Sequence, residues 1–251
     1  MRKITINLAA VAAFCIVVAS PALVSSSCAT PKTEQEDTTI IREDSGITAL
    51  KYSSPEVPAS IEFCGKTIDL SRFDRHERMD RELLAFTYMH STSLQMLKKA
   101  NRYFPIVEPI LKENGIPDDF KYLMVIESNM NPTARSSAGA AGLWQFMQGT
   151  GRDYGLEVNN NVDERYHIEK ATRAACRYLK DAYAKYKDWV AVAASYNAGQ
   201  ARIASQLAKQ DVDDSLDLQL VEETARYVYR ILAAKQLFNA PTTFGFRLRA
   251  S

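Results

Sequence analysis

From Met79 to Phe238 apolar residues recur every three or four positions in one segment after another, and that spacing confines the chain to a mainly α-helical fold. Leu83, Phe86, Thr87, His90, Leu94 and Leu97 keep the period through to Tyr103. Pro105 then opens a short helix that Asn114-Gly115 ends, and a helix over 116–131 follows. A short helix is predicted over 143–155 and a long one over 168–186, with Ala171, Ala175, Tyr178, Leu179, Ala182 and Tyr186 on one side. Helices over 189–195, 199–209 and 222–238 complete the series. Strand-like alternation is confined to Ile61-Glu62-Phe63 and Thr67-Ile68-Asp69-Leu70, which flank Cys64-Gly65-Lys66 as the arms of a small N-terminal β-hairpin.

The helix over 116–131 holds the most informative side chain. Pro117 suits the first helical position, where its missing N–H costs nothing, and Asp118 and Asp119 complement the positive helix end. Asn131-Pro132 is predicted to stop the helix. Phe120, Leu123, Met124 and Glu127 fall at i, i+3, i+4 and i+7, so an acid joins an apolar stripe near the helix C-terminus. Desolvation and the negative end of the helix dipole both favour its protonated form, as a general acid at neutral pH requires. The spacing also admits a glutamate at the rim of the stripe, reaching water or an arginine.

The chain has 251 residues, 46% hydrophobic and 24% charged, with a net charge of +1, which fits one globular domain plus appendages. That near-neutral balance argues against a dedicated nucleic-acid binder. Residues 1–27 look like an export signal, with Arg2 and Lys3 ahead of an apolar run from Leu8 to Val18 that is short for a membrane span. An uncleaved anchor is the alternative. Cys28, after Ser25-Ser26-Ser27, resembles the cysteine of a bacterial lipoprotein cleavage site, although Ser25 stands where leucine is usual. Residues 28–59 read as an acidic flexible tether, 60–240 as the folded domain and 241–251 as a short tail. Cys64 and Cys176 are expected as free thiols.

Several familiar motifs fail on inspection. Gly65-Lys66-Thr67 lacks the earlier glycine of a phosphate loop, and His76-Glu77 lacks the second histidine of a zinc helix. His90 reads as a hydrogen-bonded core histidine, and neither the scattered histidines nor the polar loop at 159–163 has metal-ligand spacing, so no metal or other cofactor is expected. The small-residue stretch 132–142 permits close approach of a ligand or of another backbone. Trp144 and Phe146 read as core, at least one of them, and Gln145 between them would point oppositely into a groove. Asn197-Ala198-Gly199 reads as a helix stop, for which capping alone is a sufficient reason. Tyr227 and Tyr229 cannot share one core face, which leaves one of them for a groove.

Four pieces occur in order: Glu127-Ser128 with Asn131-Pro132, then 141–147 (Ala-Gly-Leu-Trp-Gln-Phe-Met), Ser195-Tyr196-Asn197-Ala198-Gly199, and Glu223-Thr224-Ala225-Arg226-Tyr227-Val228. Together they resemble the catalytic domain of lytic murein transglycosylases of the membrane-bound D type, in the goose-type lysozyme superfamily. The resemblance implies a lysozyme-like helical domain that cleaves the β-1,4 bond between N-acetylmuramic acid and N-acetylglucosamine. It implies Glu127 as the single catalytic acid and base, with Ser128, Gln145, Tyr196, Asn197 and Tyr227 as substrate-binding positions. Trp144 replaces the methionine of many relatives, and Ser195 a common alanine. Relatives of this type often carry carbohydrate-binding repeats after the domain; here help in wall binding is expected from the anchor or from partners. The implied setting is the periplasm, with peptidoglycan strands as substrate, a lipid on Cys28 holding the protein at a membrane, and a monomeric state.

An ordinary glycosidase needs two carboxyls flanking the bond. Asp153, Glu157, Asp163, Glu164, Asp181 and Asp188 all sit at polar or loop-like positions, so none is marked as a partner of Glu127. One carboxyl suffices if the muramyl C6 hydroxyl attacks C1 and a 1,6-anhydro end forms. The rival readings are a hydrolytic muramidase on the same fold and a glycan-binding lipoprotein without activity.

Overall fold

The computed structural model describes residues 54–212 and 214–248. The hairpin forms where the alternation places it: β1 (Ser60–Phe63) pairs antiparallel with β2 (Lys66–Asp69), Ser60 opposite Asp69 and Phe63 opposite Lys66. Its turn needs left-handed backbone at Cys64 (φ 53°) and Gly65 (φ 81°), which glycine supplies without strain. Ile61, Phe63 and Ile68 are buried, and the Phe63 ring meets Phe120 at 5.9 Å.

Eight α-helices follow among the described residues: α1 (Phe73–Tyr88), α2 (His90–Glu113), α3 (Phe120–Ser128), α4 (Gln148–Asp153), α5 (Ile168–Tyr186), α6 (Trp189–Ala198), α7 (Gln200–Gln210) and α8 (Glu222–Asn239). The mainly α class and the N-terminal hairpin are therefore as the sequence predicts. Several boundaries are not. The first helical run breaks at Met89, where ψ turns to 45° and the chain restarts as α2. His90 thus begins a helix at the surface, edge-on to Tyr88 and Phe246, and is not a core residue. Pro105 and Pro109 lie inside α2 rather than at a helix start. The helix predicted from 116 begins at Phe120 after a tight turn over Pro117–Asp119, whose i→i+3 bonds replace capping by the two aspartates. The short helix predicted from 143 begins only at Gln148, because Leu143 to Gln145 form a turn.

The core is built on α6 and α8. Val190, Ala191, Val192, Ala193 and Ala194 are all buried, so α6 is apolar all round and runs through the interior between α5, α7 and α8. Its alanines let neighbouring backbones approach closely. Asp188 caps it by accepting from the Val190 N–H at 2.9 Å, and the same carboxylate accepts from the Ser215 hydroxyl at 2.6 Å. α8 is covered by α1 and α3 as well as α6, which explains why Tyr227 and Tyr229 are both buried on different faces. Buried Glu82 on α1 accepts from Arg226 Nε at 2.6 Å and fixes the rotation of α8.

Packing extends beyond the boundaries expected for the domain. Pro55 and Val57 are buried upstream of the hairpin, and Phe244 and Phe246 are buried after α8. Residues 1–27, Cys28 and the tether as far as residue 53 lie outside the described residues. No helix among the described residues is long and apolar enough to cross a membrane.

Hairpin, α3 and α8 meet at one ion pair. Asp119 accepts from the Cys64 N–H at 2.7 Å and pairs with Lys235 at 2.8 Å, while Lys235 also donates to the Glu62 carbonyl at 2.6 Å. Both charged side chains are about 15% exposed, so removing one leaves its partner poorly solvated. Asp119→Ala is expected to lower stability by about 3 kcal/mol. Glu113→Ala, which breaks an exposed pair with Arg173, should cost less than about 1 kcal/mol. Urea denaturation midpoints measure the difference, and equal midpoints would show that the pair is idle.

Candidate active site

α3 ends abruptly. Asn129 (φ 48°) and Met130 (φ 60°) are consecutive left-handed residues, so the helix ends at Ser128, three residues short of the predicted Asn131. The buried Met130 side chain anchors this reversal. It leaves Glu127 in the last turn, at the negative end of the helix, on the same stripe as Phe120, Leu123 and Met124. Glu127 is mostly buried yet retains some accessible surface, as a group that must meet a ligand does. Burial raises its pKa to about 7; the hydrogen bond donated by Tyr227 and the charge of Arg230 act to lower it, and Glu223 to raise it. The carboxyl is thus held near half-protonation at neutral pH.

Tyr227 comes from α8, and its hydroxyl donates to Glu127 Oε1. Burial and the neighbouring Glu127 both push the Tyr227 pKa upward, so it remains a donor. Glu223, Tyr227 and Arg230 follow at i, i+4 and i+7 and present one face of α8. Glu223 is exposed and lies within electrostatic reach of Glu127. It stands in one of the four sequence pieces, and its i, i+4 spacing to Tyr227 is the signal in the sequence that puts the two on one helix face.

From α6 come Tyr196 and Asn197, inside the helix rather than after it. Tyr196 donates to the Trp144 carbonyl at 2.7 Å, and burial together with the Glu127 charge raises its pKa. Asn197 Oδ1 accepts from the Thr224 hydroxyl at 3.0 Å, which orients its amide NH₂ as the group left for a ligand. Thr224 was not singled out in the sequence, since a threonine in a first helical turn is ordinary there.

The small-residue stretch is a folded loop. Ala141 bridges both Arg135 and Phe146, and the Gly142 N–H donates to the Ala134 carbonyl at 2.9 Å. Trp144 and Phe146 are both core, the Trp144 indole donating to the Thr172 hydroxyl at 2.9 Å. Gln145, in left-handed backbone at φ 48°, turns the other way. Its amide nitrogen donates to the carbonyls of Ala134 and Gly142, so its Oε1 is the atom it can turn to a ligand.

Gln145, Tyr196 and Asn197 line one cavity of about 330 Å³ together with Phe146, Tyr178 and Gly199. Tyr196 in that lining also lies within electrostatic reach of Glu127. Ser128 stands apart: it is buried, and its hydroxyl donates back to the Met124 carbonyl at 3.2 Å within its own helix. A larger hollow of about 760 Å³ lies at Pro105, Pro109, Ile116 and Pro117 and contains none of these groups. Among the described residues no three His, Cys, Asp or Glu side chains come together as a metal would need. Cys64 and Cys176 are both free thiols, Cys176 buried in α5.

This chain is similar to known proteins over part of its length. Residues 105–217 match the family model described as Transglycosylase SLT domain. The chain is 30% identical over 177 residues to membrane-bound lytic murein transglycosylase D of Escherichia coli, covering 68% of this chain and 38% of that relative. It is 29% identical over 150 residues to membrane-bound lytic murein transglycosylase C of Haemophilus ducreyi, covering 54% of this chain and 40% of the other. The chain thus spans well under two thirds of the length of these relatives. A crystal structure of an inactive mutant of lytic transglycosylase Slt from Pseudomonas aeruginosa overlaps 57% of this chain and 24% of that one, at 21% identity and a TM-score of 0.47. Glu127, Gln145, Tyr196 and Asn197 all fall inside the matched segment, whereas Tyr227 comes from α8 outside it, and it is over residues 105–217 that this chain is similar to the transglycosylase SLT domain.

Proposed function

We propose that this chain is a peptidoglycan lytic transglycosylase that cleaves the β-1,4 bond between N-acetylmuramic acid and N-acetylglucosamine and leaves a 1,6-anhydromuramyl end. The observation that carries this reading is Glu127, a carboxyl held by burial at a pKa of about 7 within a segment similar to the transglycosylase SLT domain. In its protonated form Glu127 gives its proton to the glycosidic oxygen as the bond to C1 breaks. The carboxylate then takes the proton of the muramyl C6 hydroxyl, whose oxygen bonds to C1, and the acid is regenerated without water. The Tyr227 hydroxyl steadies the carboxylate between the two transfers. Asn197 and Tyr196 hold the acetamido group, and Gln145 contributes its amide oxygen to the groove. Ser128 acts through the helix end rather than on the sugar, in keeping with its bond to Met124.

The names of the relatives, which call them membrane-bound, favour action at a membrane face outside the cytoplasm. Export by residues 1–27 and a lipid on Cys28 supply a route to that location, with the sacculus as the partner of the folded domain.

One observation favours a second reading, a hydrolytic muramidase. Glu223 is on the Tyr227 face of α8 and within electrostatic reach of Glu127, and a hydrolytic reading would take it as the second carboxylate that activates a water. Mass spectrometry of digested sacculi separates the two. Anhydro ends are expected; products carrying an added water, lost in Glu223→Gln, would establish hydrolysis.

Glu127→Gln is expected to bind sacculi but to lose at least about 10²-fold in turnover. The same substitution has a thermodynamic signature. The native acid binds its proton up to about pH 7 while the unfolded one releases it near 4.5. Wild-type stability therefore falls as pH rises through that window, by no more than about 3 kcal/mol. Glu127→Gln removes this loss, so its melting temperature should exceed that of the wild type at pH 8 and match it at pH 4. An equal difference at both pH values would remove the case for a buried, raised acid.

A further inference from the structure

We propose that Arg165 is a positioning residue for the glycan groove, acting as an internal clamp on the loop that presents Gln145. The proposal rests on the glycan reading given above. Arg165 lies in a 3-10 turn (Glu164–Tyr166) and is cationic, yet only 4% exposed. A buried guanidinium persists only where its donors are met. Here Asp163 accepts from Nε at 2.9 Å and from Nη2 at 2.7 Å, a two-pronged pair. Nη1 is left to reach across to the loop, donating to the carbonyls of Gly139 at 2.8 Å and Phe146 at 3.0 Å.

Those two carbonyls bracket the turn that carries Gly142, Trp144 and Gln145. The loop backbone also rests on the main chain of residue 165, a contact independent of the side chain there: a Cβ on Gly142 would come within 1.9 Å of the Arg165 carbonyl oxygen. On the other side, a Cβ on Gly151 of α4 would touch the Arg165 side-chain carbons at 3.4 Å. One residue therefore sets the distance between the loop and α4 and ties the loop ends together. What the loop offers to the groove depends on that setting. Gln145 holds a left-handed conformation within that turn, and the Trp144 carbonyl accepts from the Tyr196 hydroxyl. No sequence reading marked Arg165, because an arginine two residues after an aspartate looks like a solvated surface pair.

Lysine cannot replace it, since a single ammonium cannot satisfy Asp163 and two carbonyls in a fixed plane. Arg165 has no contact with Glu127, so its loss should change glycan binding and leave the acid's titration in place. The test places Arg165→Ala and Arg165→Lys in the Glu127→Gln background and measures binding to purified sacculi, with melting curves confirming the folded state. Arg165→Ala is expected to lower affinity by about tenfold or more. Guanidinium chloride at tens of millimolar should restore it, and ammonium chloride at the same concentration should not. With Glu127 present, KM should rise more than kcat falls, and the pH limb near 7 should not move.

A folded Arg165→Ala variant with unchanged affinity, or with a loss that guanidinium does not restore, overturns the proposal. Should Arg165→Ala fail to fold, Asp163→Asn decides: it keeps the shape but loosens the clamp, so a higher KM supports the proposal and an unchanged KM refutes it. If the Glu127→Gln parent itself fails to bind sacculi, the glycan reading falls first and this proposal with it.

Discussion

The contact between Glu127 and Tyr227 is where α3 and α8 are joined by chemistry as well as by packing. A carboxyl in an apolar stripe costs free energy when ionised, and the cost is partly offset by a phenol that is itself too deeply buried to give up its proton. The two effects oppose each other, and their balance leaves the acid near neutrality in its pKa. Burial raises the pKa, and the hydrogen bond from Tyr227 works against it. The rest of the structure serves to keep those two side chains at that distance.

Three features of the packing do so. α6 is buried on all sides and contributes Tyr196 and Asn197 from its last turn, where Gly199 ends the helix in a backbone conformation (φ 86°) that suits glycine. α8 is held in rotation by the Glu82–Arg226 pair, one residue from Tyr227. α3 is held at its start by Asp119, on Cys64 of the hairpin and Lys235 of α8, and at its end by two left-handed residues. The hairpin, small as it is, therefore helps fix the helix that carries the acid. The family match begins at residue 105 and ends at 217, yet hairpin, α1 and α8 lie outside it. The segments flanking the match thus contribute Tyr227 on one side and support for α3 on the other.

Much of this was legible in the sequence, for physical reasons that can be stated. The i, i+3, i+4, i+7 spacing of Phe120, Leu123, Met124 and Glu127 placed the acid correctly, because a helix period survives errors at either end. Alternation around Cys64-Gly65 gave the hairpin and its turn. Boundaries were less legible. The prolines of α2 read as a helix start, but both lie in its interior, and Met89 carries no breaker that would announce the break there. Tyr227 and Tyr229 do not share one face, but α8 is covered on several sides, so both are buried, which two residues of one helix do not reveal in the sequence. Arg165 and Glu223 were hidden for the same reason: their roles come from partners distant in the chain, and charge alone says nothing about who those partners are.

The central claim is that Glu127 keeps its proton near neutrality because its side of the groove is desolvated. Carboxyl-carbon NMR titration of the glutamate-labelled protein, with the Glu127 signal assigned by its absence in Glu127→Gln, tests this directly. The account predicts a titration midpoint near 7, well above that of an ordinary glutamate. Replacing Tyr227 by phenylalanine should move the midpoint higher still, since the donor that favours the carboxylate is removed. A midpoint near 4.5 in the wild type, unaffected by the loss of Tyr227, would contradict the account.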